Sequence, residues 1–341
     1  MQSLNVVIDG RPLVGNRTGI GVHTAEIARR LPFDPPPLIA SHASIDHRDG
    51  IERCRFRVDR YPLGVLWQQL ALPRIDGDVV WGPHGTLPVA LRKPSVVTLH
   101  DFTSISMPGH HELSTILSFN LFIGRSLEMA NRVAAVSRAV ADEAMRRFGI
   151  AASKIEIVPN GVDEFFSPGS DAERDYVLFV GTLEPRKGLS DLVTAWSSLP
   201  EPRPRLVLCG DRGWRTRVAA VAGIEWTGFV SRERLRELYR GALMFVYPSR
   251  YEGFGIPPLE ALACGAPVIA TRTGAIPEYA GDAALLVESG DGDALRQSML
   301  RLSRDRSLRD DLRTRGPERA RLYRWDASAN TMAGLLREAT R

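Results

Sequence analysis

The sequence predicts an α/β protein built of two doubly wound domains facing a cleft. Its 341 residues, 44% hydrophobic and 25% charged, suffice for two cores of ordinary size. Short apolar runs alternate with stretches of helical period in two successive sets, the pattern of parallel strands joined by crossover helices. Between the sets stands Pro159-Asn160-Gly161-Val162-Asp163, whose Asn-Gly turn chemistry reads as a hinge. The expected domains are 1–165 and 170–324, with a polar stretch over 167–174.

Composition narrows the function classes. Forty-four basic against 40 acidic residues leave a net charge of +4, which suits phosphate ligands or an anionic membrane surface. Nucleic acid is not indicated, since no zinc, helix-turn-helix or RNA-binding signature is present. Cys54, Cys209 and Cys264 are odd in number and far apart, as expected of reduced core residues in a cytoplasmic protein. The first nine residues lack a basic region followed by a long apolar core, so no secretory signal is expected. No apolar run approaches the roughly 20 residues that span a bilayer. Work on lipid-linked material would be done from the cytosolic surface.

In the first set, 5–9 is a buried-strand pattern and 11–21 a glycine-rich loop ending where a helix begins. Gly19-Ile20-Gly21 is either a plain turn or a ligand loop at a helix N-terminus; a dinucleotide fingerprint would need a further glycine where Thr24 stands. Ile20, Thr24, Ile27, Ala28 and Leu31 form the inward stripe of that helix. Strands are expected near 38–41 and 55–58. Asp76-Gly77-Asp78 reads as turn chemistry before strand 79–81 rather than as a metal-holding triplet. Strand 95–99 ends in His100-Asp101, at the edge where parallel sheets place ligands. The imidazole there could hydrogen-bond or shuttle a proton, with Asp101 orienting the loop. The apolar stretch 113–129 is a packed core helix, or alternatively a membrane or acceptor contact. Strand 132–136, helix 139–148 and strand 155–159 complete the set.

The second set opens with strand 176–180, then Gly181-Thr182-Leu183-Glu184-Pro185-Arg186-Lys187-Gly188, then a helix from Leu189. Arg186 offers a bidentate fork and Lys187 a point charge, both suited to a departing phosphate. Strand 205–209 ends in Gly210-Asp211-Arg212-Gly213, strand 224–230 follows, and Ser231 is placed to cap a helix. Strand 243–247 is closed by Pro248 and leads into Glu252-Gly253-Phe254-Gly255-Ile256-Pro257-Pro258-Leu259-Glu260. The prolines suit a first helical turn, Glu260 stands one or two residues into the helix, and Gly265 caps it. Free N–H groups and a helix dipole suit phosphate, whereas carboxylates accept hydroxyls; together they suit a nucleotide-sugar. Glu278 opens another helix, where a plain dipole role suffices. The region 293–341 is helical and arginine-rich, broken by Gly316-Pro317.

Glu252, seven residues and then Glu260, within Ser-Arg-Tyr-Glu-Gly-Phe-Gly-Ile-Pro-Pro-Leu-Glu-Ala, resembles the signature of retaining glycosyltransferase family four. The resemblance covers nearly the whole chain, and it implies the GT-B architecture with the C-terminal helix, 325–341, crossing back to the first domain. It implies that Glu252 contacts the donor sugar, that Glu260 holds the ribose, and that Gly253, Phe254 and Gly255, with Ile256 beside them, meet the sugar and phosphates. Gly181, Arg186 and Lys187 then serve the diphosphate, though the family often has arginine where this chain has Thr182. Phe229 lies beside the base, His100 reaches the donor sugar, and Gly19 and Gly21 lie near the donor phosphate and acceptor side. The first domain would hold the acceptor and the second the nucleotide-sugar.

By the same resemblance the anomeric configuration is kept by front-face attack, the departing phosphate taking the acceptor proton, with neither metal nor cofactor. The Thr-Gly-Ile-Gly and Glu-Pro-Arg-Lys variants resemble bacterial mannosyltransferases of surface-polysaccharide or O-antigen assembly, so GDP-mannose is the preferred donor. UDP-glucose or UDP-N-acetylglucosamine stays open as the donor, and so do a nucleotide-sugar epimerase and a silent binding subunit as functions. The implied acceptor is a glycan or polyprenyl-linked oligosaccharide, met by peripheral contact with the inner face of the membrane.

Overall fold

The computed structural model describes residues 3–15, 19–45, 50–107, 113–169, 175–211 and 222–341. Thr18, residues 212–213 and the 170–174 portion of the expected linker lie outside them. The chain divides into two compact units, one of Met1–Gly161 with Arg324–Arg341 and one of Val162–Tyr323.

Unit 1 runs β1 (Val6–Asp9), α1 (Gly19–Ala28), β2 (Leu38–Ser41), β3 (Arg55–Val58), α2 (Gly64–Leu70), β4 (Val79–Gly82), β5 (Ser95–Leu99), α3 (Thr103–Ser106), α4 (Leu113–Met129), β6 (Arg132–Ala135), α5 (Arg138–Phe148) and β7 (Ile155–Ile157). Unit 2 runs β8 (Tyr176–Val180), α6 (Leu189–Ser197), β9 (Arg205–Cys209), β10 (Ile224–Gly228), α7 (Arg232–Gly241), β11 (Met244–Tyr247), α8 (Ile256–Ala263), β12 (Val268–Thr271), α9 (Ile276–Ala280), β13 (Ala284–Val287), α10 (Gly292–Arg304) and α11 (Arg306–Ala320). The last helix, α12 (Trp325–Ala339), belongs to unit 1. Every strand pairing is parallel, in the orders β3-β2-β1-β4-β5-β6-β7 and β10-β9-β8-β11-β12-β13. β1, β4, β5, β8 and β11 are buried along their whole length, which is why they read as unbroken apolar runs rather than alternations.

In each sheet the chain order reverses once, between β1 and β4 and between β8 and β11. The loops leaving the carboxyl ends at such a reversal splay apart and leave room for a ligand. The core of unit 1 is closed by α12, whose Trp325, Ala329, Met332 and Leu336 pack with Ile8, Ile27 and Trp81. Gly161 lies against the backbone of Trp325, where a side chain would meet its nitrogen at 2.3 Å. No helix of the described residues is long and apolar enough to cross a membrane.

Four details differ from the sequence reading. Gly19-Ile20-Gly21 forms the first turn of α1 instead of a loop before it, because the buried stripe of Thr24, Ile27 and Ala28 carries the helix back through the glycines despite their low propensity. Glu260 is the fifth residue of α8, one turn deeper than expected, since the helix already begins at Ile256, ahead of the two prolines. The strand expected over 224–230 stops at Gly228, which has φ +68°. Gly316-Pro317 does not break the C-terminal region: both lie buried inside α11, where Gly316 packs against Leu262 of α8 and that contact outweighs the lost backbone bond. The breaks fall at Asp305, which accepts from Leu308 N and so caps α11, and at 321–324.

Candidate active site

Among the described residues of unit 2, a polar cluster lies at the carboxyl ends of β8 and β11, the strands flanking the reversal. After β8, residues Pro185–Lys187 form a single 3-10 turn that ends at Gly188, φ +69°. A side chain at Gly188 would come 2.0 Å from the carbonyl oxygen of Pro248, so only glycine lets the two loops close. Arg250 N donates to Arg186 O at 2.8 Å and fastens the loops together.

This closure brings Lys187 to Glu252. The Glu252 Oε1 accepts from Lys187 Nζ at 2.5 Å, Ser249 Oγ at 2.6 Å and Tyr247 Oη at 3.0 Å, while Arg186 Nη1 stands 3.5 Å away. The Oε2 has no partner among the described residues. Burial alone would raise the Glu252 pKa, but the Lys187 ammonium and then the Arg186 guanidinium outweigh it and hold the carboxylate below its ordinary range. Burial also pushes the Lys187 ammonium down, against the pull of Glu252. Tyr247 keeps its proton, its pKa driven far up by burial and then by Glu252, and is therefore a donor. Its ring stacks between Phe179 and Phe245, at 6.0 Å from each. Arg186 is anchored by Glu184 at 2.8 Å.

Beyond Glu252 the chain turns into α8. Gly274, φ +54°, lies so close beneath it that a side chain would meet Glu252 O at 2.1 Å. Ala275 N donates to Gly253 O at 3.2 Å and Tyr279 Oη to Gly255 O at 2.8 Å, fixing the loop through its carbonyls. The Phe254 ring is buried against Tyr279 and Tyr323, so only its backbone can meet a ligand. The N–H groups of Phe254 and Gly255 have no partner among the described residues, and with Ile256 they open α8. Glu260 Oε2 accepts from Tyr239 Oη at 3.0 Å. Glu260 is only partly buried as a residue, yet burial of its carboxyl pushes the pKa up to about 7, Tyr239 partly opposing. Gly181 directly follows β8, with φ +148°. Phe229 follows β10 and is 82% exposed.

The remaining sequence candidates belong to unit 1. His100 follows β5 and its Nε2 lies 2.9 Å from Pro83 O, which fixes the proton on Nε2 and leaves Nδ1 as acceptor. Burial lowers its pKa to about 4, so it is neutral at physiological pH. The His23 ring packs edge-on to it at 4.7 Å and is held by Asn160 Oδ1 at 2.7 Å. Asp101 Oδ1 accepts from Thr103 N at 2.9 Å and so orients the loop. Gly19 is exposed at the start of α1 and Gly21 is buried. Asp78 accepts from Asn5 N at 2.8 Å, a turn contact. In α4, Ile123, Ser126 and Leu127 are buried and Leu121 is exposed.

Residues 162–319 match the family described as Glycosyl transferases group 1, and residues 17–164 match Glycosyltransferase Family 4. The chain is 30% identical to the O-antigen chain mannosyltransferase B of Escherichia coli, over 95% of this chain and 97% of that protein. This chain is a family 4 glycosyltransferase. In fold it resembles a sucrose-phosphate synthase from Thermosynechococcus elongatus (TM-score 0.77, 21% identity, 98% of both chains). It also resembles the Anabaena protein HepE, solved with UDP-glucose (TM-score 0.78, 20% identity, 97% of this chain and 98% of that one). The architecture is GT-B.

Sequence reasoning named Glu252, Glu260, Arg186 and Lys187 as candidates but missed the hydroxyls that touch the two carboxylates: Tyr247 and Ser249 on Glu252, and Tyr239 on Glu260. For Tyr247 a signal existed. Phe245 and Tyr247 stand two apart in a strand and share a face, so a lone hydroxyl at the strand's end had to emerge beside the loop.

Proposed function

We propose that this glycosyltransferase moves mannose from GDP-mannose to a glycan or lipid-linked oligosaccharide, retaining the anomeric configuration and needing no metal. The observation that carries the reading is the Lys187–Glu252 pair at the sheet reversal of unit 2. The unpartnered Glu252 Oε2 is a ready acceptor for a hydroxyl of the donor sugar, while Lys187 and Arg186 supply positive charge where the diphosphate departs. The free N–H groups of Phe254 and Gly255, at the start of α8, suit phosphate oxygens. Glu260 accepts a ribose hydroxyl and Phe229 offers a face to the base. In the front-face course, the departing phosphate oxygen takes the acceptor hydroxyl's proton as the new glycosidic bond forms on the same face. His100, neutral with Nδ1 open, accepts a sugar hydroxyl rather than supplying charge. The mannosyl choice is supported by the likeness to the Escherichia coli mannosyltransferase.

The test is the shift in melting temperature with GDP, UDP and ADP, each without metal. A ligand at a hundred times its dissociation constant stabilises by about 2.7 kcal/mol. GDP alone should stabilise, and GDP-mannose should then release GDP only when acceptor is added. Stabilisation by UDP alone would overturn the donor, and no shift with any of the three would overturn the donor site.

A further inference from the structure

The Glu252 carboxylate is held unevenly. Its Oε1 has three donors within 3.0 Å, Lys187 Nζ, Ser249 Oγ and Tyr247 Oη. A carboxylate oxygen has two lone pairs, so one of the three is more than it needs. The donors differ in kind. Lys187 is charged, and its Nζ gives one N–H to Glu252 and another to Tyr247 Oη at 2.7 Å. The third N–H has no partner among the described residues. Tyr247 and Ser249 are neutral and fully buried, so neither can reach a ligand or follow one.

Tyr247 stands between the other groups. Its hydroxyl accepts from Lys187 and donates to Glu252 Oε1, and the proton this requires is kept, since burial and then Glu252 drive the pKa far up. The ring has no freedom to swing away. It lies between Phe179 of β8 and Phe245 of β11, with interplanar angles of 18° and 17°. Ser249 is pinned from behind, its carbonyl accepting from Thr271 Oγ1 at the end of β12. The nearest acceptor for its single hydroxyl proton is Glu252 Oε1, at 2.6 Å against 3.2 Å for Tyr251 O.

A diphosphate carries more negative charge than one carboxylate and competes with it for the Lys187 ammonium. Two neutral hydroxyls feel no such competition. We propose that Tyr247, with Ser249, is a positioning residue that takes over Glu252 when the diphosphate draws Lys187, holding Oε1 so that Oε2 stays turned to the donor sugar. This role rests on the reading above, in which Lys187 and Arg186 serve the diphosphate. The other groups around Glu252 do not replace the hydroxyls. Arg186 stands 3.5 Å away and is tied to Glu184, and Tyr279 of α9 gives its hydroxyl to Gly255 O.

The test is a double-mutant cycle on GDP affinity, followed by calorimetric titration of the full chain. Tyr247→Phe removes one oxygen and keeps the ring stack, so the variant should fold as the parent does. It should weaken GDP binding about tenfold, although the residue touches no ligand. In the Glu252→Gln background, where no carboxylate has to be held, the same substitution should weaken GDP less than about twofold. Ser249→Ala should show the same dependence on Glu252, and it decides the matter if Tyr247→Phe does not fold. Equal weakening in both backgrounds would mean that the hydroxyl only packs, and no weakening in either that Lys187 never leaves Glu252; each result would overturn the proposal and leave the donor reading standing. If UDP binds and GDP does not, the donor choice falls and the same cycle with UDP decides the role of Tyr247. A parent that binds neither nucleotide would overturn the donor-site reading and this role with it.

Discussion

At the scale of single residues, Lys187 is asked to do two things. It neutralises Glu252 and, on the proposed mechanism, stabilises the departing phosphate. Lys187→Ala should lower turnover about a hundredfold or more, by analogy with the loss of an oxyanion donor, and should also lower the melting temperature, because a buried carboxylate loses its main counter-charge. A folded variant within fivefold of parent turnover would sink the assignment. Glu260 gives a test in pH. Its pKa is raised to about 7, so the folded state holds a proton that the unfolded chain releases, and stability falls as pH rises from the ordinary carboxyl range through 7. Glu260→Gln should therefore raise stability at pH 8 by about 2 kcal/mol after allowing for its part exposure, and the melting temperature with it, and change little at pH 4. A ribose hydroxyl is accepted by the ionised form, so nucleotide affinity should drop roughly tenfold one pH unit below that pKa; an affinity flat from pH 8 to 6 would remove the ribose role. The charged residues were legible because their chemistry is tied to their type. Tyr239 and Ser249 were not, because a hydroxyl declares itself only through what it touches.

At the scale of elements, the site depends on two strand-end loops meeting, and Gly188 is where they meet. Gly188→Ala combines a left-handed backbone with contact against Pro248 O at 2.0 Å, and should cost more than about 2 kcal/mol. Gly334→Ala in α12, with nothing within 4 Å of the added carbon, should instead stabilise by about 0.5–1 kcal/mol. Equal melting temperatures for the two variants would show that the loops need no such closure. Strands were legible wherever both faces are buried, since continuous apolar runs leave little choice. Gly316-Pro317 was misread as a break because local propensity is blind to α8 packing across it. The short helix α2, whose apolar side faces outward, carries a pattern that misleads any reading that assumes apolar means buried.

At the scale of the whole molecule, the two-domain class was legible from the alternation of strands and helices, but no local pattern tells which core the last helix completes; only the family resemblance suggested it. Removal of residues 325–341 strips Trp325, Ala329, Met332 and Leu336 from the unit 1 core. The larger buried side chains contribute about 1.5–3 kcal/mol each, so the loss is comparable to the whole stability of an ordinary domain. The truncated chain should lose cooperative melting of unit 1 while unit 2 still shows a GDP-dependent transition, as calorimetry would record; a full-height unit 1 transition would refute the assignment. The chain leaves unit 1 at Gly161 and returns at Arg324, where Val162 N and Tyr323 O bond at 2.9 Å like the neck of a purse. Synthesis therefore delivers unit 2 entire while unit 1 still lacks its closing helix. On the ribosome the half that begins first is completed second, and its apolar interior stays open to chaperones until the codons of α12 are read.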